Sequence, residues 1–178
     1  MERIVELIKA DSLRLEILNM VASLNLPDCY VAAGFIRNLV WDHLHNCTAT
    51  SLNDIDVVFY SHDEINESAI EEQLTAAKPT VNWQVRNQAF MHLKNLDAPY
   101  KNTAHAMTYW PELETAVAAR ITVAQEIEIL APFGVETLFA GFITHNPQRE
   151  LAVFHERVKS KNWLATWSAL RVKFSLTI

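Results

Sequence analysis

Apolar residues in the first part of the chain recur three and four positions apart, which is the spacing of one face of an α-helix. One such set begins at Ile4 and the next at Leu15, and Asp11 or Ser12 between them is suited to cap the second helix. The pattern therefore predicts an N-terminal helical hairpin. Its two helices are expected at residues 2–9 and 12–24.

Two short apolar runs that follow are typical of β-strands. The segment "CYVAAG" (29–34) is β-prone at its start, and "DIDVVFY" (54–60) has too few polar residues to leave one face in water. The second run is therefore predicted to be a central strand. Between the two runs, a helix with one buried face precedes a polar loop at 46–53. The apolar positions of that helix are Ile36, Leu39, Val40 and Leu44.

Helices and strands continue to alternate in the second half of the chain. The segment 103–123 is ambiguous, because a helix broken at Pro111 could be followed by a strand or by a second helix. The other predicted helices lie at 67–78, 135–141 and 148–159, and the other strands at 82–88 and 126–130. This alternation indicates an α/β or α+β fold, in which a mixed β-sheet is flanked by helices in a single compact domain. Within residues 1–178 we expect a hairpin (1–24), a core of sheet and helices (29–130) and a C-terminal helical part (131–178).

The composition fits one globular domain. The chain has 178 residues, of which 50% are hydrophobic, and this is ample for a single core. No apolar run approaches the roughly 20 residues of a membrane-spanning helix, and the N-terminus lacks the apolar stretch of a signal peptide. Cys29 and Cys47 show neither metal-binding nor disulfide spacing. We therefore expect a cytoplasmic protein that does not act at a membrane.

The charge distribution bears on the partners of the protein. A net charge of -6 argues against a protein that binds long nucleic acids, because such proteins are normally basic. Residues 149–178 differ from the rest, since they carry more basic than acidic side chains. This basic segment could receive a polyanion or a triphosphate, although a solvated helix face is the more common origin of such a run.

Asp54 and Asp56 stand at the start of the predicted central strand. Residues two apart in a strand point to the same side, so these carboxylates project together and away from Ile55 and Val57. Two close carboxylates repel each other unless a cation lies between them. Mg²⁺ (or Mn²⁺) suits such a pair, because Mg²⁺ takes one or two carboxylates and keeps its other positions for water and phosphates. The alternative is a pair of solvated acids at a strand entrance.

Gly34 is one of three glycines in the chain and lies between a predicted strand and a predicted helix. A glycine at this place lets a ligand approach the backbone closely, and the helix N-terminus offers unpaired N–H groups to a phosphate. Arg37, one turn further on, is predicted to lie opposite the buried stripe of the helix, where it could neutralise that phosphate. A phosphate site and a metal site on consecutive elements are what nucleotide transfer needs.

The amino-acid sequence of these elements resembles that of known proteins. The stretch "AAGFIRNLVWD…NDIDVVFY" is similar to the head of the DNA polymerase beta-type nucleotidyltransferase superfamily, and locally to tRNA CCA-adding enzymes and poly(A) polymerases. The chain resembles more closely, and over nearly its whole length, a family of small bacterial nucleotidyltransferase proteins. The recurring motifs are Ala33–Asn38, Trp41-Asp42, Asp54–Val58, Asn87–His92, Ala131–Gly134 and Asn146-Pro147.

The resemblance implies roles for individual residues. It assigns catalysis and metal binding to Asp54 and Asp56, and nucleotide binding to Gly34, Phe35, Arg37 and Asn38. Members of the superfamily usually supply a third carboxylate from a neighbouring strand, but Gln84 stands at that place here. A neutral amide cannot take a proton at pH 7. Other acids that could enter the site instead are Asp42, Asp63, Glu64 and Asp97.

A cluster of polar residues ends the predicted third strand. Arg86, Asn87 and Gln88 are expected to contact the donor nucleotide or the acceptor, in line with the resemblance. The alternative is that Asn87 and Gln88 hydrogen-bond a buried turn. Arg120 lies among apolar residues and needs a partner, which could be the acid pair, a bound phosphate or an ordinary salt bridge.

Two functions are open at this point. One is an enzyme that transfers a nucleoside monophosphate from an NTP, with Mg²⁺ or Mn²⁺, to a small molecule, a protein hydroxyl or an RNA end. The other is a nucleotide-binding or protein-interaction module of the same fold that has lost catalysis, because Gln84 replaces a carboxylate. Trp163 and Trp167, one helical turn apart, could stack on a base, although such residues more often belong to a core.

Overall fold

The computed structural model describes residues 1–52 and 54–174 of the chain. Its helices are α1 (Glu2–Lys9), α2 (Ser12–Ala22), α3 (Gly34–His45), α4 (Glu67–Ala77), α5 (Met91–Asn95), α6 (Thr103–Met107), α7 (Glu136–Phe139), α8 (Leu151–Ser160) and α9 (Trp163–Thr166). Its strands are β1 (Tyr30–Ala32), β2 (Asp54–Phe59), β3 (Asn82–Asn87), β4 (Ala118–Ile121), β5 (Ile127–Leu130), β6 (Phe142–Thr144) and β7 (Arg171–Lys173). Within the described ranges, no helix combines the length and the apolar character that crossing a membrane requires.

The main sheet is mixed and has the strand order β3-β2-β1-β4-β5. β2 and β3 run parallel, and the other neighbouring strands are antiparallel. The predicted mixed sheet flanked by helices in one compact domain is therefore confirmed. In the ambiguous segment 103–123, a short helix is followed by a strand rather than by a second helix.

β2 lies inside the sheet, as its apolar composition predicts, and its two faces differ. Ile55, Val57 and Phe59 are buried in the main core, where they pack with the helices of one face. Asp54 and Asp56 project from the opposite face, as the period of a strand requires. The fold thus holds the two acids on a strand that is fixed by burial of its alternate residues.

The free edge of β3 is covered by α4. Edge strands present unpaired N–H groups that must find other acceptors. The Glu71 carboxylate accepts from the backbone N–H of Val85 at 2.8 Å, and the Glu67 carboxylate accepts from that of Asn87 at 2.6 Å. These two bonds fix β3 at the margin of the sheet, next to the acid-bearing strand.

A small second sheet lies in the C-terminal part, for which the sequence pattern predicts helices alone. β6 and β7 pair in parallel, with Ile143 opposite Val172. Each of the two strands has three residues, so neither shows an alternation long enough to be recognised. Their pairing depends on a contact between segments far apart in sequence.

Arg14 ties the N-terminal hairpin to the start of α3. It is buried, and its Nε donates to the backbone carbonyl of Phe35 at 2.8 Å. The same guanidinium binds the Asp11 carboxylate and lies over the Phe35 ring, 5.6 Å from its centroid. The hairpin therefore holds the first turn of α3 in place.

Candidate functional site

The junction between β1 and α3 leaves two backbone N–H groups free. Ala33 is the N-cap residue of α3, and its carbonyl accepts from the N–H groups of Ile36 and Arg37. The N–H groups of Gly34 and Phe35 donate to no acceptor among the described residues. Unpaired N–H groups and the positive end of a 12-residue helix favour an anion at this place.

Gly34 is not required by the backbone conformation of the free protein. Its φ lies outside the left-handed region, and a Cβ built on it would approach Arg37 Nη2 and Asn38 Nδ2 no closer than 3.5 Å. A side chain would therefore fit without strain. The remaining physical reason for a glycine is the close approach of a ligand to the backbone.

At Ala33, in contrast to Gly34, the backbone has a conformation that favours glycine, but the residue has a side chain. It adopts φ 57° and ψ −122°, a region that glycine occupies readily and that residues with a Cβ avoid. Backbone strain of this kind is found mostly at functional sites. At this junction the strained residue orients the free N–H groups that follow it.

The acid pair lies beside this junction. Asp54 is exposed and Asp56 is half-buried. Burial raises the pKa of the Asp56 carboxyl above its usual value, and the charge of Asp54 adds to this, whereas Arg37 and Lys161 act against it. A cation bound between the two carboxylates would favour their charged forms. Two carboxylates on one face fit Mg²⁺, whose other positions phosphates and water can fill.

Amides occupy the neighbouring strand at the level of the acids. In the parallel register of β2 and β3, Asn82 lies opposite Asp54 and Gln84 lies opposite Asp56. Asn82 Nδ2 donates to Asp54 Oδ1 at 2.8 Å. In the part of the chain that the structure describes, no group of three or more His, Cys, Asp and Glu side chains is arranged to hold a metal. The four other acids considered above therefore do not complete the pair.

Arg37 is more deeply buried than the helical periodicity predicts. Only 6% of it is exposed, because its guanidinium lies 4.5 Å from the ring centroid of Trp163 and 5.0 Å from that of Trp41. Nη1 donates to Thr115 Oγ1 and Nη2 to Asn38 Oδ1, while Nε has no partner among the described residues. Burial lowers the pKa of the guanidinium to about 10, so it stays charged at neutral pH. Other parts of the chain therefore cover Arg37, and its charge still acts on Asp56.

A cleft of about 570 Å³ joins these features. It is lined by the start of α3, the acid pair, the polar loop at 48–52 and the C-terminal helices. The lining residues include Gly34, Arg37, Asn38, Asp54 and Asp56 from the sequence-based set, together with Thr48–Leu52, Thr115, Arg157, Lys161, Trp163 and Trp167.

The C-terminal side of this cleft was not assigned from the sequence. Arg157 and Lys161 both line the cleft, and both act to lower the pKa of Asp56. Arg157 is held by the buried carboxylate of Glu112, with Nε 2.6 Å from Oε1. The surplus of basic residues in 149–178 was the available signal, although solvated faces of helices produce the same pattern.

The remaining predicted site residues lie in different surroundings. The Phe35 side chain is fully buried, and Phe35 is not among the residues that line the cleft. The Asn87 amide is hydrogen-bonded to the backbone N–H and C=O of Ser61, which matches the alternative of a buried turn. Arg86 is paired with Glu71 at 2.6 Å. Gln88 is buried and lines a second cavity that adjoins Asp56.

Two further side chains are engaged in packing. Arg120 pairs with Glu128 at 2.9 Å and lies over the Tyr30 ring, so its partner is an ordinary salt bridge rather than the acid pair. Trp163 and Trp167 are buried and pack edge-on against Trp41. Trp167 Nε1 also donates to Asp42 Oδ1 at 2.9 Å. These tryptophans form the base of the C-terminal side of the cleft.

Comparison with known proteins gives one family match. The family described as "Nucleotidyltransferase" matches residues 19–172. A structure solved by NMR, described as revealing a CCA-adding enzyme head domain, has a TM-score of 0.88 to this chain and 28% sequence identity. The match covers 98% of this chain and 96% of that one. Among curated proteins, no sequence matches significantly.

Longer enzymes share the fold. A CCA-adding enzyme in complex with CTP has a TM-score of 0.57 and 16% identity, and one in complex with ATP has 0.56 and 14%. These matches cover 95% and 97% of this chain but 42% of each enzyme. The chain thus spans less than half of their length, and at these identities the likeness shows the fold alone.

Proposed function

The chain belongs to the nucleotidyltransferase family, and we propose that it transfers a nucleoside monophosphate from an NTP to a hydroxyl acceptor with the help of Mg²⁺ or Mn²⁺. One observation carries the proposal. Gly34, whose N–H group is free, and the acid pair of β2 line the same cleft of about 570 Å³. A phosphate-binding site beside a cation-binding site is the arrangement that a nucleoside triphosphate needs.

The triphosphate is bound by the first turn of α3 and by α8. The N–H groups of Gly34 and Phe35 donate to phosphate oxygens, and the Asn38 side chain at the mouth of the turn offers an amide. Lys161, the C-cap residue of α8, lines the same space and is exposed, so its ammonium group is free to pair with a phosphate. Arg37 acts on the triphosphate through its charge rather than through a hydrogen bond, because its guanidinium is already hydrogen-bonded to Thr115 and Asn38.

Asp54 and Asp56 would hold the divalent ion. Burial, and then the charge of Asp54, raises the pKa of Asp56, so the ionised form of this carboxyl is disfavoured and a cation beside it would favour that form. A bound ion supplies positive charge that offsets the repulsion between the acids and the phosphates. Asn82 donates a hydrogen bond to one oxygen of Asp54, so this carboxylate is held in place before the divalent ion binds.

The transfer step breaks one phosphorus–oxygen bond and forms another. The acceptor oxygen attacks the α-phosphorus, and the bond to the bridging oxygen breaks as pyrophosphate leaves with its electron pair. The hydroxyl proton must be removed, and among the described residues no third carboxylate lies beside the pair. The proton therefore passes to water, and we expect transfer to be slower, by roughly 10²–10⁴-fold, than with a general base in place.

A second candidate function is nucleotide binding without transfer. The specific observation in its favour is that both β3 residues facing the acids, Asn82 and Gln84, are amides. An amide can orient a ligand but cannot accept a proton at neutral pH. The two candidates share the donor site and differ in the fate of the nucleotide.

The experiment combines calorimetry with an assay of pyrophosphate release. We expect ATP or CTP to bind in the presence of Mg²⁺, the wild type to release pyrophosphate slowly with a panel of hydroxyl acceptors, and Gln84→Glu to accelerate release. Gln73→Glu makes the same chemical change on the exposed face of α4 and serves as the control. Binding without release in either protein would favour the second candidate, and absence of NTP binding would contradict both.

A further inference from the structure

A second cavity of about 300 Å³ adjoins the cleft. The two spaces share Ala33, Asp56, Thr115 and Arg157 as a common boundary. A group placed in the second cavity therefore meets a nucleotide in the cleft at Asp56, where the transferred phosphorus would lie. The residues that belong to the second cavity alone are Val58, Arg86, Gln88, Met91, Trp110 and Pro111.

The chemistry of these residues is mostly apolar. Trp110 provides an aromatic ring, and Met91 and Pro111 provide compact apolar surface beside it. The charge of Arg86 is compensated by Glu71 at 2.6 Å, and that of Arg157 by Glu112 at 2.6 Å. The cavity therefore offers no unpaired charge to a ligand except the partly buried Asp56, which repels anions.

Gln88 provides a polar atom in the cavity that is available to a ligand. Gln88 Nε2 donates to the backbone carbonyl of Arg86, which orients the amide, whereas Gln88 Oε1 accepts no hydrogen bond among the described residues. Gln88 is buried, so this oxygen has a fixed position. A ligand that fits must donate one hydrogen bond and otherwise present a flat, uncharged surface. A volume of about 300 Å³ matches the smaller ligand pockets of proteins.

We propose that the second cavity is the acceptor site and that the acceptor is a small uncharged molecule that carries a hydroxyl group on a flat, largely apolar body. This inference rests on the proposed function. The body lies against Trp110 and Met91, and the hydroxyl oxygen points past Asp56 to the α-phosphorus. Its attack forms the new phosphorus–oxygen bond, pyrophosphate leaves, and the hydroxyl proton passes to water, as described for the transfer step.

The position of Met91 allows the cavity to be closed selectively. Met91 lies at the start of α5 and is half-buried, so a larger side chain there can enter the cavity. Leu96 follows the same helix, is 93% exposed and does not line the cavity. Met91→Trp is therefore the test variant, Leu96→Trp its matched control, and Met91→Ala a milder second variant that removes contact surface.

The test uses the full chain and two neutral probes. Tyrosol (4-(2-hydroxyethyl)phenol) has the proposed flat body and hydroxyl groups, and glucose is an uncharged polyol without an apolar face. Binding is followed by the indole ¹H–¹⁵N resonance of Trp110, which a Trp110→Phe variant identifies among the five tryptophans. ATP binding with Mg²⁺ is measured by calorimetry on the same proteins.

We expect tyrosol to shift the Trp110 resonance with a dissociation constant of about millimolar order, as its size implies. Met91→Trp should weaken tyrosol binding at least about tenfold, Met91→Ala about threefold and Leu96→Trp not at all. The affinity for ATP should be the same in all four proteins, because these side chains lie outside the cleft.

Several results would overturn the proposal. Equal shifts with tyrosol and glucose, or none with either, would contradict the substrate class, and a parallel loss of ATP binding in Met91→Trp would show that the cavity belongs to the donor site. Transfer only onto a protein or an RNA end, unaffected by Met91→Trp, would assign the acceptor to a macromolecule. Failure of the wild type to bind ATP would contradict the proposed function and with it the acceptor role, whereas loss of tyrosol binding with ATP binding intact would contradict the acceptor site alone.

Discussion

The two sides of the cleft differ in what holds them. One side, which we call the floor, consists of Ala33, Gly34, Asp54 and Asp56 and carries features that the folded chain alone does not need. These are a strained alanine, a glycine with room for a side chain, and two acids on one face. Each of these features costs stability, and each is explained by a bound ligand.

The other side, the wall, consists of Glu112, Arg157 and Trp163 and is built by tertiary packing. The buried carboxylate of Glu112 holds Arg157 at 2.6 Å, and Trp163 is buried against Trp41. Substitutions in the wall should therefore lower stability. Substitutions in the floor should lower ligand binding and leave stability equal or higher, and the following predictions test this contrast.

The largest effect is expected for the acid pair. Asp54→Asn combined with Asp56→Asn should abolish Mg²⁺-dependent NTP binding in calorimetry, because the divalent ion loses both charged ligands. Glu72→Gln, an acid-to-amide change on the exposed face of α4, is the control and should leave binding unchanged. Unchanged NTP binding in the double variant would contradict the metal site.

The same pair predicts a dependence of stability on pH. Because the pKa of Asp56 is raised in the folded state, its neutral form stabilises the fold at low pH, and this contribution is lost as the pH rises through the raised pKa. Without Mg²⁺ at pH 7, the double variant should therefore unfold at a higher temperature than the wild type. A lower unfolding temperature would mean that the acids support the fold rather than the ligand.

The next effect is expected in the wall. Glu112→Ala leaves Arg157 without its partner, and we expect the free energy of unfolding to fall by about 2–3 kcal/mol, below the full cost of breaking a buried pair because Arg157 is one-third exposed. Urea denaturation measures this change. Glu16→Ala breaks the exposed pair with Lys78 and should cost less than about 1 kcal/mol. Similar losses in both variants would contradict the special role of the wall pair.

A smaller effect is expected for Gly34→Ala. The added methyl group fits the free protein, so stability should be unchanged or slightly higher, while the affinity for ATP should fall by about tenfold because the phosphate can no longer approach the backbone. Gly141→Ala provides the contrast. Gly141 has φ 70°, so a side chain there should lower stability and leave the ATP affinity of the folded protein unchanged. Equal ATP affinity of the wild type and Gly34→Ala would make Gly34 a simple turn residue.

The smallest effect is expected for Ala33→Gly. Relief of the strain at φ 57° should raise the free energy of unfolding by about 1 kcal/mol, even though glycine loses more entropy on folding. Ala32→Gly, in the extended strand β1, should instead lower it by about 1 kcal/mol. If urea denaturation shows that both substitutions destabilise, the backbone at Ala33 is not strained.

Elements that are continuous in the chain could be predicted from the pattern of residues. The pattern at 29–60 predicted a strand, a helix and a central strand, and from the period of a strand it predicted that Asp54 and Asp56 share one face. The motifs in this segment also indicated the family. All of these features depend on residues close together in sequence, where periodicity and local propensity decide the structure.

The surroundings of these elements could not be predicted in this way. The periodicity of α3 predicted that Arg37 lies opposite the buried stripe of this helix, but not that Trp163, which lies far along the chain, covers it. The only sequence signal for Arg157 and Lys161 as residues of the cleft was the basic character of their segment. The pairing of β6 with β7 had no sequence signal. The physical reason is that such contacts depend on which distant surfaces meet, and neither the period of hydrophobic residues nor their spacing encodes that.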